Sequence, residues 1–174
     1  MRVFGYLILF LVLAGFSRHK NSYLLLNSKR FIVEGSTSLG DFTCNYDIHQ
    51  TKDTLFLSHK TGFTDKIPVK EFGCGNFLLN RDFKKTLKEK EYPNVMINLS
   101  DVRKQGENYS YNLHLELAGK KKTFQNLVLK KEGKHLKGGI ELKFSDFDLH
   151  PPTKLGGAIK IDESIKLSIL FRTQ

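Results

Sequence analysis

Apolar and polar residues alternate along most of this chain, and a period of two predicts sheet. Leu136, Gly138, Ile140, Leu142 and Phe144 fall on one phase, while Lys137, Glu141 and Lys143 fall on the other. Successive side chains of a strand point to opposite faces, so one face of this segment is destined for a core. Ile165, Leu167, Ile169 and Phe171 repeat the pattern. Between the two runs lies Ser145 to Pro152, where Pro151-Pro152 has no N–H to offer a ladder and ends strand pairing. Phe42, Cys44, Tyr46 and Ile48 alternate with Asp41, Thr43, Asn45 and Asp47, and Tyr109, Tyr111, Leu113, Leu115 and Leu117 alternate with Ser110, Asn112, His114 and Glu116. Shorter strands are expected from Lys29 onward, at Leu55-Phe56-Leu57, at Ile67-Pro68-Val69, from Val95 to Leu99 and from Thr123 to Lys130. Gly35 to Gly40, Thr61-Gly62, Ala118-Gly119-Lys120 and Glu132-Gly133-Lys134 supply the turns.

One helix interrupts this pattern, near residues 80–90. Asn80 is a good N-cap, Asp82 sits in the first turn where the helix dipole favours an acid, and Phe83 and Leu87 are four apart on one face. Lys84, Lys85 and Lys88 cover the outer face. The helix should end near Glu91, because the residue before Pro93 is pushed out of the helical region. About eight strands in succession predict an all-β, closed antiparallel barrel of lipocalin-like shape, with the helix capping one end. Such a barrel leaves a lumen wide enough for side chains or one slender ligand.

At 174 residues, 40% hydrophobic and 26% charged, the chain suits one domain with a real core. The first seventeen residues read as a signal peptide. Arg2 is a minimal charged region, Val3 to Ala14 an apolar run, and Gly15-Phe16-Ser17 a small-residue site with cleavage expected near Ser17. As an uncleaved anchor the run falls short of the ~20 residues that span a bilayer. Residues 18–174 are then the mature domain, exported to the periplasm or secreted. The first cysteine after the apolar run is Cys44, so an N-terminal lipidated cysteine is excluded. An oxidising compartment lets Cys44 and Cys74 pair, the alternative being two separate buried thiols. The bridge would close a loop of about thirty residues and stabilise by about 3 to 4 kcal/mol.

The net charge of +10 falls to +9 without residues 1–17. Nucleic acid would need a basic stripe on one face. Instead Lys120-Lys121-Lys122 and Lys130, Lys131, Lys134 and Lys137 cluster at two successive turns, at opposite ends of a meander. They read as solvated turns and strand-edge protection, and no nucleic-acid partner is expected. His19, His49, His59, His114, His135 and His150 have no metal-site spacing, and no nucleophile elbow, zinc helix or phosphate loop occurs. Asp146 and Asp148 read as turn caps, and Gly138-Gly139 and Gly156-Gly157 as close-packing or turn glycines. No catalytic residue, metal or cofactor is indicated.

Three stretches together resemble the YceI family of exported lipid-binding proteins. They are Phe31-Ile32-Val33-Glu34-Gly35-Ser36-Thr37-Ser38 running to Phe42-Thr43-Cys44, Leu79-Asn80-Arg81-Asp82-Phe83 running to Tyr92-Pro93, and Phe144-Ser145-Asp146-Phe147-Asp148-Leu149 running through Pro151-Pro152 to Ile165-Lys166-Leu167. The chain departs from the family pattern in having no Trp and in carrying the cysteine pair. The resemblance implies a lipocalin-like barrel whose elongated apolar cavity takes up a polyisoprenoid or similar long-chain lipid, without catalysis. The expected lining is the apolar phase of the strands: Phe42, Tyr46, Tyr111, Leu113, Leu115, Ile140, Leu142, Phe144, Ile165, Leu167 and Ile169. Partners are then a long-chain lipid and, transiently, a membrane surface. Lys120 to Lys122 would stand ready at a rim for a phosphate headgroup, against their plainer role as solvated lysines. Two rivals remain: a barrel enzyme acting on a bound lipid, which needs an ionisable group on the apolar phase, and a filled-core structural or stress-related barrel.

Overall fold

A long bent strand, β1 (Tyr23–Thr37), carries the architecture, because it pairs with β2 (Gly40–Ile48) on one side and with the last strand on the other. The computed structural model describes residues 22–58, 60, 62–154 and 159–174; the segment 1–17 expected to be a signal peptide, His19, His59, Thr61 of the expected Thr61-Gly62 turn and Gly156-Gly157 lie outside them. After β2 come β3 (Thr54–Phe56), β4 (Phe63–Pro68), α1 (Phe77–Thr86), β5 (Asn94–Gln105), β6 (Asn108–Leu117), β7 (Lys120–Glu132), β8 (His135–Lys143), β9 (Thr153–Lys154) and β10 (Ile159–Thr173). Eight of them run in the order β2-β1-β10-β8-β7-β6-β5-β4, all antiparallel, and curl into a half-barrel. The short β3 pairs with β1, and β9 with β10.

The alternation seen in the sequence becomes the core. Tyr109, Tyr111, Leu113, Leu115 and Leu117 of β6 are buried, as are Leu136 and Leu142 of β8 and Ile165, Leu167, Ile169 and Phe171 of β10. Where alternation fails, a bulge restores it. Asp101, at φ +50°, sits in a register shift between Ser100 and Arg103 and lets both Leu99 and Val102 reach the interior. A shift between Leu26 and Ser28 does the same in β1, so that Leu26, Lys29 and Phe31 are all buried.

β2 and β4 end the strand order and share no ladder, so the barrel closes by staples across a seam. The Cys44–Cys74 disulfide joins β2 to the segment after β4, and beside it Asn45 and Gly73 exchange N–H···O bonds of 2.9 and 2.8 Å. Further along, the Phe56 N–H donates to the Gly62 carbonyl (2.8 Å) and the Ser58 N–H to that of Val102 (2.7 Å). Lys29 adds a third link: its Nζ lies 2.6 Å from Asp53 and 2.5 Å from Asp65 of β4.

The start of β1 and both ends of the helix differ from the sequence expectation. β1 begins at Tyr23 and not Lys29, because Tyr23–Leu25 pair with β3 although Leu24-Leu25-Leu26 do not alternate. The helix starts one turn early. Asn76, not Asn80, is its cap and accepts from the Leu79 N–H at 2.9 Å, while the Asn80 side chain accepts from the Cys74 N–H at 2.6 Å. It stops at Thr86 and not near Glu91, because Lys88 takes a left-handed φ of +53° and residues 87–91 become turns.

Candidate functional site

The inner face of α1 follows from helical spacing. Leu79, Phe83 and, just past its end, Leu87 lie four apart and hang over the barrel end formed by Val33, Phe42, Cys44, Phe144, Ile161 and Ile165. They enclose an apolar cavity of about 40 Å³, with Pro152, Thr86 and Asp82 completing the wall. A second cavity of about 40 Å³ lies deeper, among Phe31, Ile67, Phe72, Val95, Ile97, Leu115, Leu117, Leu142 and Leu167. Both are lined by Val33, Phe83, Leu87 and Ile165, so these four side chains form the partition. Gly35 makes the mouth possible: a Cβ there would fall 2.6 Å from Cζ of Phe42, whose ring lies across β1.

The roof is thin. None of the ten residues of α1 is fully buried, and its first two, Phe77 and Leu78, are exposed. The far end is a plug. Phe63 meets Phe171 edge-on at 5.1 Å, Phe171 meets Phe31 at 6.5 Å, and the Lys29 ammonium lies 5.2 Å from the Phe63 ring centre. Lys29 is only 6% exposed; burial by itself would lower its pKa, but hydrogen bonds and charges from Asp53 and Asp65 outweigh that and hold it above the ordinary lysine value. Asp53 is held below the ordinary carboxylate value, its burial overcome by bonds from Lys29 and Thr51. Deeper still, the Tyr111 hydroxyl is buried with no hydrogen-bond partner, and burial pushes its pKa up to about 12.

The expected lining divides into two sets. Phe42, Phe144 and Ile165 border the outer cavity, and Leu115, Leu142, Leu167 and again Ile165 the inner one. Tyr46 stacks instead between Phe31 and Phe72, Tyr111, Leu113 and Ile169 are closed core, and Ile140 borders a wide open groove beside Gly139 and Glu141. The sequence reading left out the helix residues Leu79, Phe83 and Leu87, although their four-residue spacing was the available signal, and it left out Val33 and Ile161 from strand ends. The rim lysines are engaged: Lys120 pairs with Asp148 at 2.5 Å, Lys121 with Glu116 at 3.6 Å and Lys122 with Asp146 at 3.2 Å.

Apart from Asp82, the chemistry-bearing groups lie away from the cavities. Ser100 Oγ and Thr123 Oγ1 each lie 2.9 Å from one ring nitrogen of His114, as a polar row across β5, β6 and β7 in which no carboxylate orients the ring. Among the described residues no group of three His, Cys, Asp or Glu side chains is placed to hold a metal ion. Asp82, on the outer cavity wall, is the one ionisable group there among the described residues.

No family model matches the chain, and no curated protein matches it by sequence. Solved structures do. A polyisoprenoid binding domain from Saccharophagus degradans, implicated in plant cell wall breakdown, superposes with a TM-score of 0.56 at 11% identity over 88% of this chain and 99% of its own. BcnA of Burkholderia cenocepacia superposes with a TM-score of 0.52 at 14% identity over 83% of this chain and 94% of its own. A YceI protein of Campylobacter jejuni is 18% identical, over 64% of this chain and 71% of its own, with a TM-score of 0.48. At these identities the likeness is one of fold, and this chain has the lipocalin-like antiparallel β-barrel fold that BcnA and the polyisoprenoid binding domain share with it.

Proposed function

We propose that this chain binds a long-chain isoprenoid or similar amphiphile inside the barrel, beneath α1, and carries or sequesters it without altering it. The observation that carries the reading is the pair of adjoining apolar cavities under a helix that buries none of its residues fully. Ligand sites are commonly about 300 to 1,000 Å³, so two voids of about 40 Å³ hold no lipid tail as they stand. Uptake therefore requires α1 to swing away and the partition of Val33, Phe83, Leu87 and Ile165 to open. Gly75, at φ +85° between the stapled Cys74 and the helix cap Asn76, lies at the base of the helix and supplies the hinge. Each CH₂ that then leaves water gains about 0.8 kcal/mol.

The absence of catalysis is part of the proposal. It is supported by the wall chemistry, since among the described residues Asp82 is the one ionisable side chain on either wall and no histidine lines either cavity to act with it. A second reading, a filled structural barrel, is favoured by the small size of the voids. We further propose that the chain works outside the cytoplasm after removal of residues 1–17, which the Cys44–Cys74 disulfide supports. N-terminal sequencing of the protein recovered from cells tests this, Arg18 being the expected new terminus and Met1 the contrary result.

A series of alcohols with one, two, three and four isoprene units distinguishes the two readings of the barrel. Carriage predicts affinity that climbs with each unit. A filled barrel predicts weak binding that is indifferent to tail length.

A further inference from the structure

We infer that the outward face of α1 is a docking surface for an anionic bilayer. A surface helix of a globular protein ordinarily keeps its apolar residues on the inner side. Here Phe77 is 75% and Leu78 59% exposed, while Leu79 and Phe83 already occupy the inner side. Phe77, Arg81 and Lys85 follow one another at steps of four, a single exposed stripe that is aromatic at its start and cationic beyond it, and Lys88 is exposed in the turn just past the helix end. The Arg81 guanidinium lies 5.9 Å from the Phe77 ring centre, which binds the two parts of the stripe together. From 77 to 88 the only carboxylate is Asp82, and it is on the cavity wall.

Charge complementarity selects the occupant. The lysines at Lys120 to Lys122 lie 2.5 to 3.6 Å from acids of their own, whereas on α1 Arg81 Nε is 3.8 Å from Asp82 and neither Lys84 nor Lys85 forms an ion pair among the described residues. Adjacent exposed apolar anchors with basic residues on the same helix are the chemistry of an interfacial helix, and ten residues, about 15 Å, are too short to do more than lie in the surface. Leu39, 76% exposed, tips the β1–β2 hairpin, whose Val33 and Phe42 line the cavity that α1 roofs, and gives a further apolar anchor at the same barrel end. Docking would set the cavity mouth against the lipid source, and this purpose, though not the docking itself, rests on the proposed carriage of a lipid.

Flotation of the full chain with vesicles tests it. Binding is expected to equimolar phosphatidylglycerol and phosphatidylcholine at low salt, to fall at high salt, and to be absent with phosphatidylcholine alone. The double variant Arg81→Glu and Lys85→Glu should weaken binding at least about thirtyfold, and Phe77→Ser with Leu78→Ser should abolish it. Lys130→Glu with Lys131→Glu, an equal charge change elsewhere, should weaken it far less. Equal losses at both sites, no loss at α1, or equal binding to the neutral vesicles would overturn the inference. Uptake of a three-isoprene alcohol in vesicle-free buffer is read in parallel. Uptake without flotation defeats docking alone, and flotation without uptake defeats carriage alone.

Discussion

Tyr111 is the residue whose environment is least ordinary. Its hydroxyl is sealed in the barrel with nothing to bond, and Gly138 across the interior makes room for it, since a Cβ there would fall 2.7 Å from that oxygen and 2.9 Å from Leu129 Cδ2. An unpaired buried hydroxyl is a standing cost, so Tyr111→Phe is expected to leave stability unchanged or raise it by about 1 kcal/mol. Gly138→Ala should cost about 1 to 3 kcal/mol by overpacking. Combined with Tyr111→Phe it should cost less, which a double-mutant cycle in urea measures; strict additivity would contradict the contact. Lys29 makes the second prediction. Because the Asp53 pKa is lowered from 3.8, its share of stability is present above that value and lost as pH falls through its folded value. Because the Lys29 pKa is raised from 10.5, its share is complete below that value and lost as pH rises beyond it. Lys29→Met should cost about 2 kcal/mol, less than a fully buried pair because Asp53 is 40% exposed, and should remove the alkaline loss. A variant whose melting temperature follows the wild-type pH profile would show that the pair does not hold the seam.

At the scale of elements, α1 is held at its base by two devices within three residues, the Cys74 disulfide and the Asn76 cap. Asn76→Ala should cost about 1 kcal/mol and quicken uptake of a long-chain probe in stopped-flow mixing; unchanged uptake would mean that the helix is no lid. The strands were legible wherever alternation ran through a strand paired on both sides, as in β6, β8 and β10. They were not legible where a bulge reset the phase, as at Leu26 to Lys29, because an extra residue erases a period of two. The helix was legible as a helix but shifted by a turn. Two asparagines four apart each cap something, and Phe77 and Leu78 look like strand residues when read as polar-out, apolar-in. The cavity wall was legible in its strand half, Phe42, Leu142 and Ile165 among it, whereas which apolar residues border space and which border each other is a property of packing.

For the whole molecule, the seam decides whether the barrel is one continuous wall. Its staples join Cys44 to Cys74 and Lys29 to Asp65, residues 30 and 36 apart in the chain, and no local pattern carries such pairings. Only the cysteine pair showed in the sequence, because its chemistry restricts the choice of partner. The seam also joins α1 to the wall, since Cys44 borders the outer cavity and Cys74 precedes α1. Carriage of a lipid tail through this lid is the central claim, and native mass spectrometry of the full chain, isolated without detergent, tests it most directly. The account predicts a mass addition that organic extraction identifies as a hydrocarbon-tailed lipid, and its loss when the partition is blocked by Ile165→Trp. Bare protein, still bare after incubation with a four-isoprene alcohol, would contradict it.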